Sequence, residues 1–314
     1  MTHIPDRRRR SARATFVREI ARYRVAYVFL APAMIVLLFV DFIPMARGIW
    51  TSLFQYSLFR PAFRPYVGTE QYHQLFHDHL FWRAMWQTGY YTLGAVAGQF
   101  VLGLLTAVLL NQSSRARGFF RGLILIPWVV PGALAGTMFA LLFTSTGLVN
   151  SFLTKIGVEG TSLLPASYPW LSHSSTAMPV VILTSAWKGF PFFAVMLLAA
   201  MQGVPQELYE AARVDGASPA RTFRHITVPG IRATILISTL LGLIWTFNSI
   251  DLIYIMTYGG PYYSTTTLVM LAYQQAFGTG QVGYATAIAV VILAMMAVVT
   301  SFYLVLYRRV VTSV

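Results

Sequence analysis

Six apolar segments recur along the chain, and each is long enough to cross a lipid bilayer as a helix. Such a helix needs about 20 predominantly apolar residues. The six segments lie at residues 25–46, 88–110, 122–143, 177–199, 233–256 and 283–307. The pattern therefore predicts an all-α, polytopic membrane protein with six transmembrane helices, which we number as spans one to six.

Positive charge is distributed unevenly between the segments that connect these spans. If both termini are inside, seventeen Lys and Arg residues fall in the cytoplasmic segments and five in the opposite segments. Short cytoplasmic segments of membrane proteins carry an excess of Lys and Arg. The charge pattern therefore predicts that both termini are cytoplasmic.

The composition supports a membrane protein and narrows its chemistry. Charged residues make up 11% of the chain, against about 25% in an ordinary soluble domain, which disfavours both disorder and a soluble enzyme. The absence of cysteine excludes disulfides, thiol catalysis and zinc–thiolate sites. The net charge of +13 would suggest nucleic acid in a soluble protein, but eight arginines lie in the first 24 residues, beside span one. This placement predicts contact with membrane lipid and no nucleic-acid partner.

Two regions follow from this distribution: a basic cytoplasmic tail at 1–24 and a six-span domain at 25–314. Within the tail, apolar residues recur at helical spacing between arginines, as is typical of a helix lying in the headgroup layer. These residues are Phe16, Val17, Ile20 and Tyr23. For residues 1–12 a disordered basic tail is an equally open alternative.

The segment 203–230, between spans four and five, predicts two short helices joined by a turn. Residues 206–214 are good helix formers, and Gly216 stands where a helix commonly ends with a left-handed glycine. Ser218 then caps a second helix, with Pro219 at its first position. Such a capped pair on the inner face is typical of a docking element, whereas a plain connecting loop would need no caps.

The second helix of this pair has an apolar side formed by Phe223, Ile226 and Val228, and Pro229 is expected to end it just before span five. The whole segment resembles the EAA loop of binding-protein-dependent ABC importer permeases. The residues that carry the resemblance are Glu210, Ala211, Ala212, Asp215, Gly216, Ala217, Phe223, Ile226 and Pro229.

This resemblance implies a set of partners and a location. In that family the loop couples the permease to an ATPase subunit, so the expected partners are a second permease subunit, two ABC ATPase subunits and an extracytoplasmic sugar-binding protein. The chain lacks the phosphate-loop motif G-x-x-x-x-G-K-[ST], so no cofactor is expected in this chain and ATP and Mg would be used by the ATPase. The expected location is the bacterial cytoplasmic membrane, and no catalytic residue is expected.

Further motifs at 126–131, 187–192 and 257–261 resemble the sugar branch of the family, in particular its first membrane subunit, as in the maltose and glycerol-3-phosphate permeases. The resemblance implies import of a mono- or oligosaccharide. The alternatives are a glycerol-3-phosphate or other polyol-derivative permease of the same fold and, from another class, a channel-like or receptor protein.

Span five carries polar residues that predict a substrate pathway. Ionisable and polar groups inside a span are costly, which makes function the first hypothesis, although polar contacts between helices are the alternative. The residues are Trp245, Thr246, Asn248, Ser249 and Asp251.

Span four is expected to be interrupted at Gly189 and Pro191, since broken helices often line transporter sites. Trp187 and Lys188 stand beside the expected break. For Lys188 three roles stay open: pairing with a carboxylate, contact with a substrate hydroxyl, or burial in the bundle. The resemblance implies a sugar pocket formed by Trp128, Gly132, Lys188, Gly189, Phe192, Thr246 and Ser249.

A histidine cluster before span two is a weaker candidate for a site. His73 and His77 share a helix face, and Asp78 and His79 follow them, so a metal site is conceivable. No surrounding residues that would orient metal ligands are recognisable, and an interfacial helix explains the same residues. We therefore predict no metal site.

Overall fold

The computed structural model describes residues 24–112, 117–158 and 167–312. These residues are helical apart from turns and two isolated β-bridges, Phe54 with Tyr66 and Ser57 with Gln281. The predicted surface helix of the basic tail lies outside the described residues.

Five helical segments are long and apolar enough to cross a membrane. They are Tyr27–Thr51, His79–Asn111, Ala177–Gln202, Pro219–Met256 and Val282–Arg309, which correspond to predicted spans one, two, four, five and six. Span three consists of two helices, Gly118–Val129 and Gly132–Leu142, bent by 89° at Pro131. With this bent pair counted as one span, the six predicted spans are present.

Shorter helices connect the spans. Their bounds are Glu70–His77, Leu148–Lys155, Gln206–Val214 and Leu268–Tyr273, the last continuing into a π-helical turn at Gln274–Gly278. Span one contains a similar wide turn at Leu38–Phe42, and its last part, Ile43–Thr51, packs against span six. The remaining side chains described along span one are largely exposed, so lipid or another chain must cover them.

Spans two and four form the most extensive helix pair in the described chain. Glycines of span two allow this close approach. A Cβ at Gly98 would lie 2.8 Å from the Ala186 Cβ, and one at Gly103 would overlap the Phe193 side chain. Small residues at helix interfaces are the usual means of bringing membrane helices together.

The predicted interruption of span four is wrong. The helix Ala177–Gln202 runs without a break through Gly189 and Pro191. Proline removes one hydrogen bond to the preceding turn, but membrane helices tolerate this where neighbouring helices hold the segment in place. Pro191 is buried, and the helix is held against span two on both sides of it.

The break lies instead in span five. Its long helix, Val228–Asn248, is followed by Ser249, whose ψ of 127° is extended. A second helix runs over Asp251–Met256. The predicted start of span five at residue 233 is also too late. Helical backbone begins at Pro219–Thr222 and passes through a π-helical turn at Phe223–Thr227.

Pro229 was expected to end the preceding helix, and this prediction is wrong. It occupies the first turn of Val228–Asn248, directly after the π-helical turn. The missing N–H of proline costs least in the first turn of a helix. The second helix of the inner loop is thus continuous with span five.

Candidate functional site

A cavity of about 140 Å³ lies among spans two, three, four and five. Its lining combines aromatic rings, hydroxyls, one amide, one lysine and one carboxylate. The lining residues are Gln99, Trp128, Ser185, Lys188, Gly189, Phe192, Gly242, Trp245, Thr246, Ser249, Asp251 and Leu252.

Helical periodicity explains why spans four and five each present several residues to this cavity. Residues three, four and seven positions apart lie on one face of a helix. Span four contributes Ser185, Lys188, Gly189 and Phe192 with this spacing. Span five contributes Gly242, Trp245, Thr246 and Ser249 with the same spacing. Most of the residues that the sequence predicted for the pathway are thus brought together.

Three aromatic rings form one wall. The Phe192 ring lies 4.9 Å from the Trp245 ring and 6.5 Å from the Trp128 ring, measured between centroids. Trp128 and Trp245 remain 50% and 52% exposed, so their faces are open to a ligand. An indole offers a flat apolar surface together with one N–H donor.

A hydrogen-bonded network forms the opposite, buried side. The Gln99 amide donates to the Ser185 carbonyl at 3.2 Å and contacts the Ser185 and Thr246 hydroxyls at 3.3 and 3.4 Å. The Tyr91 hydroxyl donates to Ser185 Oγ at 3.3 Å. Because a buried amide in a membrane must find partners within the protein, this network fixes spans two, four and five relative to one another.

Gly189 makes room for this hydrogen-bonded network and does not break the helix. A Cβ at this position would overlap the side chain of Gln99. Glycine therefore allows the Gln99 amide to lie directly against span four.

The break in span five positions the carboxylate. Ser249, in the gap between the two helices, donates a hydrogen bond from Oγ to Asp251 Oδ1 at 2.5 Å. Gly132, at the start of the second helix of span three, faces the same carboxylate, and a Cβ there would overlap Asp251 Oδ2. Gly132 does not line the cavity, but it makes room for the carboxylate that does.

Two predicted pathway residues lie elsewhere. The Trp187 ring packs at 5.1 Å from Phe139, beside a buried cluster on the other face of span four. The Asn248 amide donates to the Ile244 carbonyl at 2.8 Å and contacts Met296 Sδ at 3.8 Å. It lines a separate, mainly apolar groove of about 580 Å³ between spans one, five and six.

The sequence prediction missed four lining residues: Gln99, Ser185, Gly242 and Leu252. Gln99 could have been found, because a single amide in an otherwise apolar span requires a partner or a function. The other three carry no signal that distinguishes them from ordinary helix-packing residues.

The inner loop has the local structure that its sequence predicts. The helix Gln206–Val214 ends at Gly216, whose φ is +71°. Ala217 N donates to the Ala212 carbonyl at 2.9 Å and Gly216 N to the Arg213 carbonyl at 3.1 Å, which together form a Schellman cap. Ser218 Oγ accepts a hydrogen bond from Arg221 N at 3.4 Å.

A side-chain contact joins the two helices of the loop. The Tyr209 and Thr227 hydroxyls are 3.1 Å apart. Ala212 is buried against the rest of the protein, whereas Glu210 and Asp215 are exposed and Val214 is 88% exposed. The loop is therefore a rigid element with one face open to another molecule.

The side chains of the histidine cluster make polar contacts within the protein. His77 Nδ1 lies 2.8 Å from the His73 carbonyl. Asp78 accepts hydrogen bonds from Leu80 N at 2.8 Å and from the Tyr284 hydroxyl at 2.7 Å. Within the described ranges, no group of three His, Cys, Asp or Glu residues is arranged to hold a metal ion.

Comparison with known proteins adds a family to this geometry. The family model described as "Binding-protein-dependent transport system inner membrane component" matches residues 99–312. The sulfoquinovosyl glycerol transport system permease of Agrobacterium fabrum is 37% identical over 285 residues, which are 90% of each chain. The trehalose/maltose transport system permease of Thermococcus litoralis is 31% identical, over 90% of this chain and 92% of that one.

The fold also matches a solved structure. A crystal structure of a bacterial ABC transporter that imports the acidic polysaccharide alginate superposes with a TM-score of 0.78. The match covers 94% of this chain and 99% of that chain at 23% identity, so it bears on the fold alone.

Proposed function

Because the chain belongs to the family of binding-protein-dependent transport system inner membrane components, we propose that a sugar crosses the bilayer through the cavity of this subunit. The chain is a multi-pass inner-membrane permease subunit of an ABC importer. Two of its relatives are named for sulfoquinovosyl glycerol and for trehalose and maltose, which supports a mono- or oligosaccharide as the substrate. The family assignment argues against a channel-like or receptor function.

The observation that carries this proposal is the pairing of an aromatic wall with polar groups in one cavity. Sugars present hydroxyls around an apolar ring face. Trp128 and Trp245 offer surfaces on which such a face can stack, and Ser249 and Asp251 can bind hydroxyls. Ligand sites usually combine an apolar surface with a few convergent polar groups in this way.

The interrupted helix of span five supports a role in transport. Discontinuous helices in transporters commonly line the substrate site, and alternating access moves one part of the bundle against another around that site. Ser249 and Ile250 separate the two helices of span five beside the cavity. We infer that this break lets the two parts of span five move independently.

The inner loop is proposed to transmit the ATP-driven movement. Its capped helices and exposed face suit docking to an ABC ATPase subunit, which would bind ATP and Mg. A second permease subunit would complete the membrane unit, and a binding protein would deliver the sugar. The two helices, joined at Tyr209 and Thr227, would act as one lever on span five.

A phosphorylated polyol is the less favoured substrate. Phosphate is generally recognised by arginine, which presents donors in a matching fork. The described residues that line the cavity include no arginine, and they include the carboxylate of Asp251.

ATP-driven uptake by the complete complex in proteoliposomes tests the proposed function. The complex of both permease subunits, the ATPase pair and the binding protein is supplied with radiolabelled glucose, galactose, maltose, trehalose and glycerol 3-phosphate. Uptake of at least one sugar, dependent on ATP and on the binding protein, is expected. Uptake of glycerol 3-phosphate alone would contradict the sugar assignment.

A further inference from the structure

The cavity contains one positive and one negative side chain, Lys188 and Asp251. They come from different spans, and Lys188 forms no hydrogen bond or ion pair with any described residue. A charged side chain at membrane depth is costly and generally either pairs with another group or faces a water-filled space. Lys188 is half-buried and faces the cavity, so its ammonium is available to a ligand.

Asp251 is held in place but retains capacity to bind. Its Oδ1 accepts the Ser249 hydroxyl, and its other oxygen lies over Gly132. A carboxylate has about four lone-pair sites, so one hydrogen bond leaves room for more. The anchored carboxylate is thus an acceptor fixed in the same cavity as an ammonium that no described residue binds.

We propose that one hydroxyl of the transported sugar bridges Lys188 and Asp251, accepting a hydrogen bond from the ammonium and donating one to the carboxylate. The proposal rests on the function assigned above and adds the polar contact that selects the substrate. A hydroxyl is both donor and acceptor, which suits a site with an ammonium on one side and a carboxylate on the other. Hydrogen bonds in series polarise one another and are strengthened in a low-dielectric environment.

The net charge of the cavity supports an uncharged group at this point. The charges of Lys188 and Asp251 cancel, so a hydroxyl leaves the cavity neutral. A carboxylate or phosphate placed between them would add a negative charge beside the fixed carboxylate. Like charges close together in a low-dielectric site are strongly unfavourable.

The competing explanation is a structural ion pair that has no contact with substrate and forms in another conformation of the transporter. Four variants of the complete complex separate the two: Lys188→Met, Asp251→Asn, the double variant, and Lys155→Met as a control. Lys155 is the other lysine of the chain and is exposed at the end of Leu148–Lys155, away from the cavity. Complex yield and ATP-driven uptake are measured for each, with glucose, galactose, maltose and trehalose as probes.

Each single variant is expected to lower uptake per complex about tenfold or more, because it removes a hydrogen bond to a charged group and leaves the other charge uncompensated. The double variant removes both charges and should assemble with the same complex yield as the wild type. Its uptake per complex should stay about tenfold low, since the sugar hydroxyl has lost both charged partners. Lys155→Met should match the wild type in both measurements.

Recovery of uptake in the double variant would overturn the proposal and establish a structural pair. Unchanged uptake in either single variant would overturn it as well. In both of these cases the wild-type complex still imports sugar, so the proposed function survives. Uptake of glycerol 3-phosphate and of no sugar by the wild-type complex would instead refute the proposed function, and the hydroxyl bridge with it.

A second measurement does not depend on the yield of the variants. The 2-, 3-, 4- and 6-deoxy derivatives of glucose are used as competitors of uptake by the wild-type and double-variant complexes, with the same binding protein in both. The derivative that lacks the bridging hydroxyl should compete less well than glucose for uptake by the wild-type complex. In the double variant it should compete as well as glucose does. Identical ranking of all four derivatives in the two complexes would contradict a bridging hydroxyl.

Discussion

Adjacent residues in span five have different surroundings, and this difference separates their expected roles. Ser249 lines the cavity and bonds to Asp251, whereas Asn248 bonds to its own helix and faces the groove beside span six. The sequence predicted that both side chains lie on the same face of span five. Ser249 keeps the helical spacing of Gly242, Trp245 and Thr246 and so stays on the cavity face, whereas Asn248 lies about 100° away around the helix.

Ser249→Ala is expected to lower ATP-driven sugar uptake about tenfold, because the Asp251 carboxylate loses a charge-assisted hydrogen bond that orients it. Initial uptake rates per assembled complex in proteoliposomes provide the measurement. Asn248→Ala is the matched control and should stay within about twofold of the wild type, as is usual for changes away from a functional contact. A larger loss in Asn248→Ala than in Ser249→Ala would contradict the assignment of the cavity.

The residues of the cavity also show how much of a site a single sequence can reveal. Lys188 and Ser249 were recognisable because a charge, or a cluster of polar residues, in an apolar span needs a reason, whereas Trp128 was implied only by the family resemblance. Gly189 was recognised for the wrong reason. A glycine can mark either a flexible backbone or a close approach, and only the position of Gln99 shows that the second applies.

At the scale of elements, the inner loop followed its sequence closely. Its caps and its left-handed glycine depend on contacts within a few residues, which a sequence contains in full. Span three bends at Pro131, but in spans four and five the prolines did not predict the break. Span four tolerates Pro191 within tight packing, while span five breaks where Asn248, Ser249 and Asp251 cluster. Short polar side chains compete with the helical backbone for hydrogen bonds, so this cluster was the better signal.

Gly216→Val is expected to impair coupling while the chain still inserts in the membrane. The position has a φ of +71°, which costs a β-branched residue about 1–2 kcal/mol, although a Cβ there would meet no atom within 4 Å. Sugar-stimulated ATPase activity of the reconstituted complex should therefore fall about fivefold or more.

Gly216→Asn provides the control, because asparagine adopts left-handed backbone more readily than other side chains. It should retain most of the stimulated activity and the same amount of copurified ATPase subunit. Equal activity of the Val and Asn variants would show that the shape of this turn is not needed for coupling.

At the scale of the whole molecule, the hydropathy pattern predicted the six spans because each is a continuous apolar stretch of sequence that is long enough to cross a bilayer. The bend of span three and the close pairing of spans two and four depend on contacts distant in sequence. No periodicity within one segment encodes them.

The orientation of the chain remains a prediction from its Lys and Arg distribution and can be tested directly. The chain has no cysteine, so a single introduced cysteine reports on one position. Ser172→Cys and Ala220→Cys change exposed residues on opposite sides of span four. A membrane-impermeant maleimide should label Ser172→Cys in intact spheroplasts and Ala220→Cys only after permeabilisation. The reverse pattern would place both termini outside.

The central claim is that a sugar binds between spans four and five in this subunit during import. A cryo-electron microscopy map of the complete complex, with binding protein docked and an imported sugar bound, tests it most directly. Sugar density is expected against Trp128, Phe192 and Trp245, within hydrogen-bonding distance of Asp251. Sugar density confined to the second permease subunit, with this cavity empty, would contradict it.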